Sequence, residues 1–199
     1  MRIPQPLLDS RLLTAGIDAW PRVIAWRHRA TPAEAGHGSS RFSDPQGVFR
    51  VLYAAEDFAT AFAEGVVRDK LQGKARRFLY QPHIERLGLT EIASSRPLKL
   101  LDLTGAAAFE LGIDTDTKGA RAHAAGQALS SALYEHIPDL DGLLFSSRLT
   151  TGRCVAIYDR ALGDLSGRPP VGLIQSAQLL TELKRLNIVV RRRRGLGGR

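Results

Sequence analysis

The chain is predicted to fold as an α+β protein around a mixed, largely antiparallel sheet, and three observations carry that expectation. Short β-branched and aromatic runs recur along it, and amphipathic helical stretches separate them without a strict strand–helix–strand rhythm. Near the end, residues 142–145 (GLLF) and 153–158 (RCVAIY) flank SSRLTTG, the pattern of an antiparallel hairpin.

Taken in order, residues 21–30 (PRVIAWRHRA) read as a first strand with a short apolar core. Strict alternation there would point Arg27 away from Trp26 and His28. Residues 31–40 (TPAEAGHGSS) have the Gly, Pro and Ser content of a loop. Residues 48–53 (VFRVLY) form the next strand, and Asp57 is placed to cap a helix running to about Gln72. Phe58, Phe62 and Val66 would be its buried stripe. Strands are expected at 76–81, 89–93 and 98–103, then a short helix at 106–111. A longer helix at 121–136 would turn Ala125, Leu129, Ala132 and Leu133 to one face, and a helix at 176–186 closes the fold.

A length of 199 residues, with 44% hydrophobic and 24% charged residues, suits one soluble domain with its own core. We assign that domain to residues 1–190 and read 191–199 (RRRRGLGGR) as a basic tail, expected to be disordered. The tail holds five of the arginines; without them the net charge falls from +8 to +3, so the basicity is mainly terminal. Cys154 is the only cysteine, which rules out an intrachain disulfide, and the five histidines have no metal-ligand spacing. No metal is expected. No apolar run is long enough to span a bilayer, and the first residues lack the apolar core of a signal peptide, so a cytoplasmic location is expected. Neither GxGxxG, GxxxxGK[ST] nor GxSxG occurs.

Several residues carry candidate chemistry. Arg41 follows Gly36, Gly38, Ser39 and Ser40, a loop in which backbone N–H groups and a guanidinium can meet one anion. From local sequence alone it reads more readily as a surface arginine on a polar loop. Tyr53 ends a strand just before a helix, where it either stacks on a flat ring or packs half-buried in the core. At about 100° per residue, Glu64 lies about 140° from its helix's apolar stripe. Periodicity alone therefore turns it to solvent, beside Arg68 one turn on. Ser146 and Ser147 follow the GLLF strand, and either could face inward.

In this order the residues resemble the RES domain, a family named for arginine, glutamate and serine. The resemblance runs from WRH at 26–28, through SSRF at 39–42 and VLYAAEDFATAFAE at 51–64, to DGLLFSSRLTTGRCVAIYD at 141–159. It implies an ADP-ribosyltransferase-like fold and a toxin that consumes NAD and is neutralised by an Xre-like antitoxin. NAD would be the substrate, with no cofactor and with inorganic phosphate as a possible co-substrate. Nucleic acid would be met only through the antitoxin, and no membrane is implied. By position, Arg27 and Arg41 would hold phosphates, Tyr53 would contact the nicotinamide–ribose end and Glu64 would engage the ribose. Ser147, chosen over Ser146 because Arg148 follows it, would orient the reacting end. The tyrosine of many members at the DGxxY position is Phe145 here, read as packing. Water, phosphate or a protein side chain could accept the ADP-ribosyl group, the last making the protein an ADP-ribosyltransferase. Two further classes stay open: a nucleic-acid-binding module using residues 191–194, and an inactive scaffold for the antitoxin.

Overall fold

The structure, a computed structural model, describes residues 8–71, 73–105, 107–111 and 120–192. In chain order the elements are β1 (Leu12–Ala15), β2 (Trp20–Ala25), β3 (Val51–Ala55), α1 (Phe58–Phe62), a π-helical turn (Ala63–Val67) and α2 (Arg68–Leu71). There follow β4 (Phe78–Tyr80), α3 (Gln81–Glu85), β5 (Leu87–Ser94), β6 (Leu98–Asp102), α4 (Ala107–Glu110) and α5 (Ala120–His136). The chain continues through β7 (Gly142–Ser146), β8 (Arg153–Tyr158), β9 (Leu165–Gly167), β10 (Val171–Gly172), α6 (Ala177–Arg185) and β11 (Val189–Arg191).

The central sheet has the order β1-β6-β7-β8-β3, and only its β6–β7 pair is parallel. A second, antiparallel sheet is ordered β10-β5-β2, with β9 also on β5; β4 and β11 pair in parallel. This is the α+β arrangement expected. The late hairpin is β7 and β8, and both strands are almost wholly buried because the central sheet is covered on two faces. Period-two alternation divides the side chains between those faces. Leu143, Phe145, Cys154, Ala156 and Tyr158 pack with Phe42 and with Leu129 and Leu133 of α5. Leu144, Val155 and Ile157 pack instead with Leu52, Ile92 and Ile17. Gly142 is required at the strand crossing, since a Cβ there would lie 2.3 Å from the Ala156 carbonyl oxygen.

Several expectations need correction. The first strand runs over Trp20–Ala25, paired with β5 as far as Ala25 opposite Leu87. The Trp26 N–H then bonds to the Arg86 carbonyl at 2.7 Å, and the chain turns through a short 3₁₀ turn at Trp26–His28. Arg27 is therefore not on a strand. Residues 48–50 lie outside β3 because the Asp44 carboxylate accepts the N–H groups of Val48 and Gln46, holding a turn that leaves Val48 70% exposed. On α5, Ala125 is exposed, and the buried face runs through Gly126, Leu129, Ser130 and Leu133. The short strands β1, β9, β10 and β11 have no strong local signal and depend on their partners. Arg191 belongs to β11, its guanidinium 4.7 Å from the Phe78 ring centroid; residues 193–199 of the expected tail, and Ala106 and Gln72, lie outside the described residues.

Candidate active site

A cavity of about 570 Å³ opens where β2 approaches β3. Arg22 reaches it from β2, Arg41 from the loop before β3, and Tyr53 from β3 itself. Glu64 and Arg68 line it from the helical segment, His123 from α5, and Ser146 and Arg148 from the end of β7 and its turn.

Asp57 caps α1, accepting the Thr60 N–H at 2.7 Å, and Phe58, Phe62 and Val66 are buried in one cluster, so the local helical reading holds. The helix then widens. The Arg68 N–H bonds back five residues to the Ala63 carbonyl, closing a π turn, a feature frequent at functional sites. Gly65 lets this turn lie on β2, where a Cβ would stand 3.1 Å from the Val23 Cβ. Glu64, off the apolar stripe, faces the cavity rather than open water, with 22% of its side chain exposed.

Glu64 is held at both oxygens. Ser147 Oγ donates to Oε1 at 2.7 Å, and Arg68 Nη1 donates to Oε2 at 3.1 Å. Ser147 Oγ in turn accepts the N–H groups of Leu149 and Thr150 at 3.1 and 3.3 Å. With its lone pairs engaged by the turn, its one proton is directed to Glu64. Tyr53 stands edge-on to Phe145 with ring centroids 6.4 Å apart, and its hydroxyl accepts the Phe42 N–H at 3.1 Å. Burial pushes the Tyr53 phenol up from its ordinary value, so it stays protonated.

The cations are less well satisfied. Among the described residues, Nη1 of Arg22 and Nε of Arg41 are buried without a hydrogen-bond partner. Burial lowers Arg22 to about 10, opposed by Glu34. Burial lowers Arg41 to about 10 as well, helped by neighbouring Arg148 and opposed by Glu64 and Tyr53. Buried donors of this kind are normally paired, and the arrangement suits a bound anion. Cys154, on the cavity wall, is pushed up to about 12 by burial, then by Glu64 and Asp57, which makes it a packing thiol and no nucleophile.

The model of the RES domain matches residues 15–178. The chain belongs to the RES domain family. A curated relative, "Probable toxin y4kH" of Sinorhizobium fredii, is 31% identical over 83 residues, which are 42% of this chain and 65% of that protein. The aligned part thus spans just under two-thirds of the relative's length. Among solved structures, the M. tuberculosis MbcT-MbcA toxin-antitoxin complex contains a chain matched with a TM-score of 0.62 at 22% identity, over 92% of this chain and 100% of that one. That likeness shows that the two chains share a fold.

In this RES domain the structure brings Arg41, Tyr53 and Glu64 to one cavity, with Ser147 bonded behind Glu64 and Ser146 on the wall. It does not bring Arg27 there. Arg27 is exposed, its Nε bonded to His28 Nε2 at 3.0 Å. Arg22, five residues earlier, lines the cavity instead. Arg22 does carry a signal: an arginine inside the apolar run WPRVIA has no reason to be half-buried unless something pairs with it. His123 and Arg148 have no comparable local signal.

Proposed function

We propose that this RES domain is the toxin of a cytoplasmic toxin–antitoxin pair and cleaves the nicotinamide–ribose bond of NAD, with an Xre-like antitoxin as its inhibitor. The carrying observation is that two buried guanidinium atoms without partners, on Arg22 and Arg41, share a cavity with a carboxylate held at both oxygens. A dinucleotide offers both counterparts, a pyrophosphate for the cations and a ribose for the carboxylate. The names of the curated relative and of the structural neighbour support the toxin and antitoxin parts of the reading.

In the reaction, the bond between ribose C1 and the nicotinamide nitrogen breaks with its electron pair going to nitrogen, so neutral nicotinamide leaves. The sugar passes through an oxocarbenium-like state. Glu64 stabilises that positive charge, Ser147 fixes the carboxylate, and Arg22 and Arg41 anchor the phosphates. A phosphate oxygen or water then bonds to C1. Water loses a proton to solvent in doing so.

The test is incubation of the purified chain with NAD, with and without inorganic phosphate, and mass analysis of the products. Nicotinamide release is expected, with ADP-ribose or its phosphorylated form marking the acceptor. Glu64→Ala should abolish the release while the fold persists; intact NAD with the natural chain overturns the reading. Among the described residues no helix is long and apolar enough to cross a membrane.

A further inference from the structure

We infer that Arg68 is a positioning residue, which aims the Glu64 carboxylate by holding the oxygen that Ser147 does not hold. This rests on the NAD-cleaving reading above. A carboxylate bonded at one oxygen can still swing about its Cγ–Cδ bond. Glu64 is bonded at both, to Ser147 Oγ at 2.7 Å and Arg68 Nη1 at 3.1 Å. The two donors come from different parts of the fold, the turn after β7 and the start of α2. Together they define the carboxylate plane and leave lone pairs for the cavity.

Arg68 is itself fixed twice. Its backbone N–H closes the π turn on Ala63, and its Nε donates to Asp69 Oδ1 at 3.1 Å. The wide turn thus places carboxylate and guanidinium on one rim of the cavity. An i,i+4 ion pair with its arginine 37% exposed adds little to folding stability, so conformational support does not account for the contact. Its effect lies in geometry: a charge-stabilising group displaced by about 1 Å can lose up to about 10²-fold in rate.

The test is steady-state NAD turnover by the natural chain, Arg68→Met, Arg68→Lys, Glu64→Gln and the double variant Glu64→Gln/Arg68→Met, each checked by circular dichroism and thermal unfolding. Arg68→Met should lower kcat about tenfold or more and leave KM for NAD within about twofold. Arg68→Lys, which keeps one donor, should recover part of the loss. Because Arg68 acts through Glu64, the methionine should cost nothing further once Glu64 is glutamine. An unchanged kcat overturns the inference, and so does a raised KM at constant kcat, which would make Arg68 a phosphate ligand. Full additivity in the double variant also overturns it. If Arg68→Met fails to fold, the lysine variant carries the same kcat-against-KM comparison. Absence of turnover by the natural chain overturns the NAD-cleaving reading instead, and this inference with it.

Discussion

Two groups of arginines in this molecule do opposite things with the same side chain. In the turn between β5 and β6, Arg96 grips Asp141 with both Nη atoms at 2.7 and 2.8 Å and Asp164 with Nε at 2.7 Å. Those bonds, to Asp141 first and then Asp164, raise its pKa. Nearby, Arg160 donates to the carbonyls of Tyr134, Ile137 and Pro138 at the end of α5, with its guanidinium 3.7 Å from the Tyr134 ring centroid. At the cavity, Arg22 and Arg41 are half-buried and shifted down to about 10, and each keeps one buried nitrogen, Nη1 of Arg22 and Nε of Arg41, without a partner. A guanidinium whose donors are taken up by carboxylates and carbonyls of the fold itself is structural, as in half-exposed Arg96. One that keeps a buried donor unpaired is free to meet a ligand.

The sharpest way to break this comparison is to remove a cavity arginine. Arg22→Ala and Arg41→Ala should each lower NAD turnover on the order of 10²–10³-fold, as measured by nicotinamide release, whereas Arg27→Ala should leave it unchanged. Equal losses at Arg22 and Arg27 would mean that burial does not mark the site.

Next in size is the response to an anion. Pyrophosphate at about 100 times its Kd should stabilise the fold by about 2.7 kcal/mol, read from thermal unfolding. A cation whose folded pKa lies below its unfolded value binds fewer protons when folded, so it opposes folding at neutral pH and that opposition fades as pH rises from about 10. The anion depends on the cations, so its stabilisation should shrink in Arg22→Ala and in Arg41→Ala. An unchanged increment in both variants would point to binding elsewhere.

On the structural side, Arg96→Ala leaves the Asp141 carboxylate without its cation. The expected loss is about 2 kcal/mol of stability, with turnover per folded molecule preserved. Calorimetry beside the NAD assay separates the two effects. The smallest difference concerns the serines. Ser147→Ala should lower turnover about tenfold by freeing one Glu64 oxygen, and Ser146→Ala, on the wall, should change it little.

Much of this architecture was legible because it is local. Asp57 as a cap, the Phe58, Phe62 and Val66 stripe, and the β7–β8 hairpin all follow from residues a few positions apart. So did the convergence of Arg41, Tyr53 and Glu64, though only through the family's motif order, since periodicity alone turned Glu64 to solvent. Arg27 is the residue that local pattern misplaces, because the apolar run over 21–30 continues the strand past Ala25. The strand's end is set by a bond from Trp26 to Arg86, sixty residues away, which no local pattern encodes.

By itself, then, the sequence determined the longer elements and their order, from β2 and β3 through the capped helix and α5 to the β7–β8 hairpin, and that no intrachain disulfide can form. Periodicity, capping and composition act within one or two turns of chain. Only the tertiary structure decided which arginine faces the cavity, which serine bonds Glu64, and that Arg68 holds its other oxygen. Those outcomes depend on strand pairing, a π turn and a hairpin loop meeting in space, and on which donors are left buried once they have met.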